Sequence, residues 1–300
     1  MNVSPSHWSW TIAVLVGVLS LGCLGADAPV ATSSAQKIEV QGRPMQFQTQ
    51  GTGRPTLVIE TGLGEPGVNS GSWKAVLDSL SRSNRIFQYD RAGLGGSAAP
   101  AKTPRTIRDQ AEDLHQLLVQ TKEPGPFVLV GHSMGGLVVR GYAAEHPEQV
   151  AGIVLVDSSH PDQWKRWLAA LPPETPSEPP SIRGARKHLT ATLADPQSNP
   201  ENLDLAASAD QIRALGTLGS IPLRVVTHSP KWVMVPDLPE PVSQQIEQDW
   251  QDLQKSLLAL STASRQSVAA SAGHYVQAED PALVIAAIQD LLAALPSKSP

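Results

Sequence analysis

The sequence predicts one α/β domain, in which helices cover both faces of a mostly parallel sheet and a small helical insertion interrupts the pattern. Four apolar runs, each too short for a helix, are bounded by glycine, proline or polar residues, as buried parallel strands are; they occupy residues 56–60, 85–89, 127–130 and 152–156. Helical stretches separate them, at residues 72–81, 106–121 and 135–145. Strands that alternate with helices favour crossover connections and a parallel sheet.

Length and composition restrict the class of protein. The 300 residues suffice for one large α/β domain, and 41% hydrophobic with 17% charged residues favours a packed core over disorder. The net charge of −5 offers no basic surface, so nucleic acid is not an expected partner. One cysteine and eight scattered histidines give neither a disulfide pair nor zinc-ligand spacing, so we expect no metal and no other cofactor.

Residues 1–28 are predicted to be a signal peptide or a membrane anchor. No charged residue precedes Asp27, and residues 11–24 are almost entirely apolar. This run is shorter than the roughly 18–20 residues of a spanning helix and suits a signal peptide. We therefore expect an exported protein, secreted, periplasmic or lipid-anchored through Cys23 in a partial lipobox. The alternative is an uncleaved membrane anchor with Trp8 and Trp10 at the interface.

The domain itself is predicted to occupy residues 37–295. Residues 37–50 alternate in polarity around a central glycine, which predicts an antiparallel hairpin ahead of the four buried strands. Beyond residue 219, the strand pattern returns at residues 222–227 and 265–270. A helix over residues 280–295 follows the last of these strands.

An insertion is predicted at residues 158–219. Its segment 171–180 contains five prolines, which exclude a long regular element. The flanking segments, residues 162–170 and 207–215, have the periodicity of amphipathic helices. We expect this insertion to form a cap above the sheet and not an independent domain.

A G-x-S-x-G string, residues 131–135, lies between a predicted strand and a predicted helix. A sharp turn at such a junction exposes the serine hydroxyl, and the glycines allow the two backbones to approach. The turn also places the hydroxyl near a helix N-terminus, where developing negative charge is favoured. Ser133 is therefore the candidate nucleophile, and an ordinary serine N-cap is the alternative.

Four motifs together resemble the α/β-hydrolase family over nearly all of residues 37–295. They are Glu60-Thr-Gly-Leu-Gly64, Tyr89-Asp-Arg-Ala-Gly-Leu-Gly-Gly-Ser97, Gly131-His-Ser-Met-Gly-Gly136 and Ser271-Ala-Gly-His-Tyr275. The order of serine, then acid, then histidine is also that of the family. The resemblance implies an α/β-hydrolase fold, with the cap inserted after the sixth strand, and a serine hydrolase such as a carboxylic ester hydrolase.

His274 is the candidate general base, in the loop between the last predicted strand and the closing helix. A hydroxyl is a weak nucleophile at neutral pH, so an imidazole must accept its proton and later return it to the leaving group. A polar turn histidine is the alternative. His132 adjoins the nucleophile, but the turn is expected to direct it away, into a packing role.

The triad acid has two candidates. Most members of the family place it after the strand at residues 222–227, where this chain has His228 and no carboxylate before Asp237. A minority place it one strand earlier, where Asp157 follows residues 152–156. We favour Asp157, because groups at the carboxyl ends of parallel strands gather at the ligand-binding edge of the sheet. A capping role for Asp157 is the alternative.

The resemblance also implies an oxyanion hole. The oxyanion donors are expected to be the backbone N–H groups of Met134 and Leu63, although Thr61 replaces the usual histidine of that loop.

Two charged and two aromatic residues have predicted supporting roles. Asp90 and Arg91 are expected to hold the glycine-rich loop at residues 93–96 in place. Trp164 and Trp167 share one helix face and predict either an apolar lid or packing of the cap on the core.

The expected function is hydrolysis of a carboxylic ester or related acyl compound through an acyl-enzyme on Ser133. The expected partner is a small-molecule acyl substrate of apolar character. A serine at this position speaks against dehalogenase and epoxide-hydrolase chemistry, where resembling families carry aspartate. Acyl transfer, lactone or amide hydrolysis and cofactor-free haloperoxidation on the same triad stay open. From another class, a non-catalytic binding protein or a membrane-tethered scaffold on the same fold is the alternative.

Overall fold

The computed structural model describes residues 34–296. The predicted leader, residues 1–28, lies outside this range, so its prediction is untested. Within residues 34–296, none of the helices has the length and apolar character needed to cross a membrane.

An eight-stranded sheet organises the described part of the chain, in the order β1-β2-β4-β3-β5-β6-β7-β8. Its strands are β1 (Gln36–Val40), β2 (Arg43–Gln50), β3 (Thr56–Glu60), β4 (Ile86–Tyr89), β5 (Phe127–His132), β6 (Val150–Val156), β7 (Leu223–Thr227) and β8 (Ser264–Val268). The hairpin β1–β2 pairs antiparallel with β4, and strands β3 to β8 run parallel. The predicted hairpin and mostly parallel sheet are therefore confirmed.

Helices cover both faces of the sheet, since the central strands are apolar on both sides. They are α1 (Lys74–Leu80), α2 (Ile107–Gln120), α3 (Gly135–Glu145), α4 (Gln163–Ala170), α5 (Pro180–Ala194), α6 (Leu205–Arg213), α7 (Glu240–Ser256), α8 (Val276–Glu279) and α9 (Pro281–Ala293). Leu129 of β5 packs in the core with α2 and α3, whereas its neighbours Val128 and Val130 pack in the core with α1 and α9. This alternation is that of a strand buried on both faces.

The insertion follows the sixth strand, as predicted, and contributes α4, α5 and α6. One of these helices was not predicted: α5 begins at Pro180, the last of the five prolines. Proline is tolerated in the first turn of a helix, where its missing N–H has no intrahelical partner. The proline-rich segment therefore ends where a helix begins and does not exclude one.

A second helix, α7, was missed as well, because its sequence is mostly polar. Its apolar residues Val242, Ile246, Trp250 and Leu253 are buried and recur at helical spacing. This helix packs against α4 of the cap, although it lies beyond residue 219, where the predicted insertion ends.

Candidate active site

Ser133 occupies the sharp turn between β5 and α3. Its φ of +52° lies in the left-handed region, which costs free energy for a residue with a side chain. A Cβ atom on Gly135 would lie 2.5 Å from the carbonyl oxygen of Glu60, and one on Gly131 would lie 2.7 Å from that of Gly135. The turn therefore depends on both glycines, as predicted from the G-x-S-x-G string.

Parallel pairing brings the candidate nucleophile and acid to one edge of the sheet. His132, the last residue of β5, pairs with Val156, the last residue of β6. Ser133 and Asp157 therefore leave neighbouring strands side by side. Asp157 also has a positive φ, +41°, in the left-handed region that a residue with a side chain rarely adopts.

His274 completes the group. Its Nε2 lies 3.0 Å from Ser133 Oγ, and its Nδ1 lies 2.6 Å from Asp157 Oδ2. With Nδ1–H donating to the carboxylate, Nε2 is left to accept a proton from the serine hydroxyl. The structure thus brings together Ser133, His274 and Asp157. Asp237, the alternative acid, lies in an exposed loop and makes no hydrogen bond to His274 in the described structure.

Asp157 is fully buried and receives four hydrogen bonds. Its Oδ1 accepts from the backbone N–H of His228 at 3.1 Å and from Trp250 Nε1 at 2.9 Å. Its Oδ2 accepts from His228 Nδ1 at 2.8 Å and from His274 Nδ1. Burial by itself raises the pKa of Asp157, but the hydrogen bonds from His228 and His274 outweigh it and hold the pKa well below its usual range. The group therefore stays a carboxylate.

His132 lies behind His274, and its Nε2 is 3.0 Å from the carbonyl oxygen of His274. Since that carbonyl accepts, Nε2 carries the hydrogen. Burial, with a smaller contribution from His274, lowers the pKa of His132 to about 3, so the ring is neutral. The expectation that His132 does not reach the serine agrees with this geometry, and its contact fixes the backbone of the base.

The predicted oxyanion donors flank the serine. A Cβ atom on Gly62 would lie 3.5 Å from Ser133 Cβ, so the loop after β3 passes directly over the nucleophile. In the described range, the backbone N–H groups of Leu63 and Met134 have no protein acceptor. Both are free to receive a developing oxyanion, but their role stays a prediction.

The match to known proteins covers the whole of this site. Residues 55–295 fit the model of the α/β-hydrolase fold family. The chain belongs to this family.

Relatives of this α/β-hydrolase extend over most of its length. An uncharacterized protein of Bacillus subtilis, YqjL, is 28% identical over 82% of this chain and 87% of its own. A thermophilic esterase from Thermogutta terrifontis has a TM-score of 0.57 at 21% identity, covering 87% of this chain and 98% of its own. Mouse alpha/beta hydrolase domain-containing protein 10 has a TM-score of 0.60 at 17% identity, covering 87% and 99%. At such identities the structural likeness shows the fold.

In this α/β-hydrolase a buried arginine supports residues 61–64, the loop after β3, named the oxyanion loop for its predicted donor Leu63. Arg91 donates to the carbonyl oxygens of Thr61, at 2.9 Å, and of Gly62. Glu201, from the cap, accepts from the backbone N–H of Gly64 at 2.7 Å and pairs with Arg91 at 2.7 Å. The loop therefore has a carboxylate and a guanidinium in place of the usual histidine. Local sequence patterns gave no signal for Glu201.

Arg91 is shared between two buried glutamates. It also contacts Glu60 at 2.6 Å, and Tyr89 donates its hydroxyl to the same carboxyl. Burial raises the pKa of Glu60. Burial also opposes ionisation of Glu201, but Arg91 more than compensates and lowers the pKa of that carboxyl. Arg91 and Glu201 therefore form the principal ion pair.

Asp90 tethers the glycine-rich loop, as predicted. Its Oδ2 accepts from the backbone N–H of Gly96 at 2.8 Å, and its Oδ1 accepts from that of Val68 at 2.9 Å. The prediction is wrong for the side chain of Arg91, which turns to the oxyanion loop instead. Two adjacent charged residues thus hold two different loops.

A cavity of about 350 Å³ opens above Ser133 and His274. Its walls come from α4, α5, α7 and the loop before α7, and are mostly aromatic and aliphatic: Trp164, Trp167, Leu189, Trp232, Leu238 and Trp250. Trp164 is buried in the core and Trp167 stacks on Trp250 at 5.6 Å between ring centroids. Both predicted roles, lid and packing, therefore hold for this pair.

Proposed function

We propose that this α/β-hydrolase cleaves a carboxylic ester, or a related acyl compound, through an acyl-enzyme on Ser133. The observation that carries the proposal is the continuous hydrogen-bonded series from Ser133 Oγ through His274 to Asp157, with distances of 3.0 Å and 2.6 Å. This is the arrangement that activates a serine hydroxyl. Family membership alone does not fix the reaction, since one fold hosts many activities.

The acylation half-reaction follows from these contacts. Ser133 Oγ attacks the carbonyl carbon while its proton passes to His274 Nε2, and Asp157 stabilises the resulting imidazolium. The carbonyl oxygen becomes an oxyanion beside the backbone N–H groups of Met134 and Leu63. His274 then donates the proton to the leaving alkoxide oxygen, and the ester bond breaks. The alcohol leaves, and the acyl group stays on Ser133.

Deacylation repeats the sequence with water. His274 accepts a proton from a water molecule that attacks the acyl carbon, and returns it to Ser133 Oγ as that bond breaks. The carboxylic acid is released and the free enzyme is restored. The same acyl-enzyme serves amide and lactone hydrolysis, and transfer to an alcohol, so the acceptor is a separate question.

The cavity favours an apolar acyl group. An aliphatic or aromatic group placed against its tryptophan and leucine side chains loses contact with water and gains dispersion contacts. A sugar or phosphate placed there would leave most of its hydrogen bonds to water unreplaced, because Ser159, Gln163 and His188 are the few polar side chains beside Ser133 and His274 that line the cavity. We therefore propose small to medium apolar acyl esters as substrates.

Reaction with a fluorophosphonate tests the activated serine. The purified protein and its Ser133→Ala variant are exposed to the reagent, and the intact masses are compared. We expect one adduct on the wild type and none on the variant, and turnover of 4-nitrophenyl esters that depends on acyl-chain length. A folded wild type that forms no adduct and turns over no ester would contradict the proposal and favour a non-catalytic binding protein.

We also propose that the protein is exported, on the basis of the uncharged, apolar run at residues 11–24. The mass of the N-terminal peptide, measured on protein recovered from separate cell fractions, is the test. We expect the leader to be removed, with a diacylglycerol mass on Cys23 in the lipid-anchored case. Recovery of the chain from Met1 in the soluble cytosolic fraction would contradict export.

A further inference from the structure

His228 directly follows β7. By resemblance to the family, this is the strand after which the triad acid is usually found. The side chain of His228 is fully buried and lies between two carboxylates. Nδ1 is 2.8 Å from Asp157 Oδ2, and Nε2 is 2.9 Å and 3.1 Å from the two carboxylate oxygens of Glu247 on α7. The triad acid is therefore hydrogen-bonded to two imidazoles, His274 on one side and His228 on the other.

An imidazole held between two carboxylates must carry two hydrogens. The neutral ring has one N–H and one lone pair, so it would turn a lone pair toward either Asp157 or Glu247. The imidazolium donates to both. Burial disfavours the charge on His228, but hydrogen bonds to Asp157 and Glu247 outweigh burial and raise its pKa to about 9.

The Glu247 carboxylate balances the charge of this second imidazole. A cationic His228 beside Asp157 alone would cancel the negative charge that His274 needs when it becomes an imidazolium. With Glu247 present, His228 and Glu247 are together neutral, and Asp157 keeps its full charge. Gln251 Nε2 donates to Glu247 at 2.8 Å, which holds that carboxylate in place on α7.

Aromatic rings restrain the same group. The indole of Trp250 stacks on the His228 ring, with centroids 5.9 Å apart and 13° between planes, and donates its N–H to Asp157 Oδ1. The Trp232 ring meets His228 edge-on at 4.9 Å. Neither imidazole rotation nor a shift of the Asp157 carboxylate is possible without breaking one of these contacts.

We propose that His228 is a positioning residue of the active site: anchored by Glu247, it orients the Asp157 carboxylate so that Oδ2 faces Nδ1 of His274. This inference rests on the proposed serine-hydrolase function and deepens it. His228 does not touch the substrate or the reacting atoms, and acts through Asp157.

A dependence of the reaction on alkaline pH follows. The titratable groups that face His228 are Asp157, from the end of β6, and Glu247, from α7, while His274 shares Asp157 Oδ2. Because the pKa of His228 is raised to about 9 in the folded protein, both of its hydrogen bonds are kept at neutral pH and are lost as the pH rises through about 9. The stability that they contribute is complete below about pH 6.5 and lost over the same rise. We expect kcat to fall with an apparent pKa near 9, as His228 loses its proton.

Two double variants test the positioning role. His228→Leu with Glu247→Leu removes the donor and its anchor together, so that no buried carboxylate is left unpaired. We expect kcat to fall about 30- to 100-fold with KM changed less than about threefold, because misplacing a reacting group by about 1 Å costs about a hundredfold in rate. His228→Asn with Glu247→Gln keeps an amide N–H beside Asp157, and should recover most of kcat without the alkaline fall.

The outcomes separate this inference from the proposed function. Initial rates of fluorophosphonate labelling and of ester turnover are measured for the wild type and both double variants between pH 6 and 10. Equal rates in all three proteins, or equal losses in both double variants, would overturn the positioning role alone. An unlabelled, inactive wild type would overturn the proposed function and this inference with it.

A single variant decides the case if the leucine double variant does not fold. Glu247→Gln lets His228 be neutral, with Nδ1–H on Asp157 and the glutamine amide donating to Nε2. We expect kcat within about threefold of the wild type and no fall near pH 9. An unchanged alkaline fall in Glu247→Gln would overturn the inference.

Discussion

Exchange of Asp157 for asparagine is expected to lower kcat by about 10⁴-fold, the loss seen when a triad carboxylate becomes an amide. An asparagine amide has a similar shape, but it can present an N–H where the carboxylate accepts from His274 Nδ1. His274 then adopts the tautomer that carries its hydrogen on Nε2, and cannot take the proton of Ser133. The backbone N–H of His228 and Trp250 Nε1, which face Oδ1, can only donate, so the amide oxygen takes that place and the amide nitrogen takes the place of Oδ2 beside His274.

The matched control is Asp237→Asn, the same chemical change in an exposed loop. We expect its kcat to stay within about twofold of the wild type, since surface exchanges away from special contacts have small effects. Steady-state turnover of a 4-nitrophenyl ester by both variants provides the measurement. A loss below tenfold for Asp157→Asn, together with collapse of activity in Asp237→Asn, would assign the acid to the other position.

Exchange of Arg91 for methionine is expected to lower the free energy of unfolding by about 3–5 kcal/mol, the cost of removing one partner from a buried ion pair. The Arg91 side chain is only 3% exposed, and Glu60 and Glu201 lie on either side of it. Without the guanidinium, two buried carboxyl groups lose their cation, and Thr61 loses a donor to its carbonyl. The deficit should shrink toward pH 4, because protonation neutralises the two carboxyls.

Arg108→Met is the control for this second exchange. Arg108 pairs with Glu145 at 2.9 Å, but its side chain is 64% exposed. Such surface pairs contribute less than about 1 kcal/mol. Urea unfolding of both variants beside the wild type, at pH 7 and again near pH 4.5, gives the comparison. Equal small losses for the two variants would mean that the buried cluster does not stabilise the fold.

Residues with a local signature were predictable from the sequence. The strands that flank Ser133 and Asp157 are continuous apolar runs, since both of their faces are buried, and this pattern is visible without a structure. The left-handed turn at Ser133 needs glycine neighbours, so it is recognisable in the sequence as the G-x-S-x-G string. Asp157 was recognised because the residue that ends a parallel strand lies at the binding edge.

Residues that support the site from a distance were not predictable. Glu201 lies 110 residues along the chain from its partner Arg91, and Trp250 lies 93 residues from its partner Asp157. Glu247 reaches the site through His228, 19 residues away on another element. The helix that carries Trp250, α7, was missed because its sequence is mostly polar, so Trp250 had no predicted role. The cavity walls depend on how four segments pack together, which no local pattern encodes.

The bond between Glu201 and Gly64 has a consequence for protein engineering. Because caps of this kind are insertions, they invite exchange between relatives as interchangeable modules. Here one cap carboxylate holds both Arg91 and the backbone of the oxyanion loop. A transplanted cap that lacks an acid at this position would leave the oxyanion loop of the host domain without the hydrogen bond to Gly64 and without the partner of Arg91. A chimaera built on this chain must therefore carry over position 201 together with the specificity-determining walls, or redesign residue 91 at the same time.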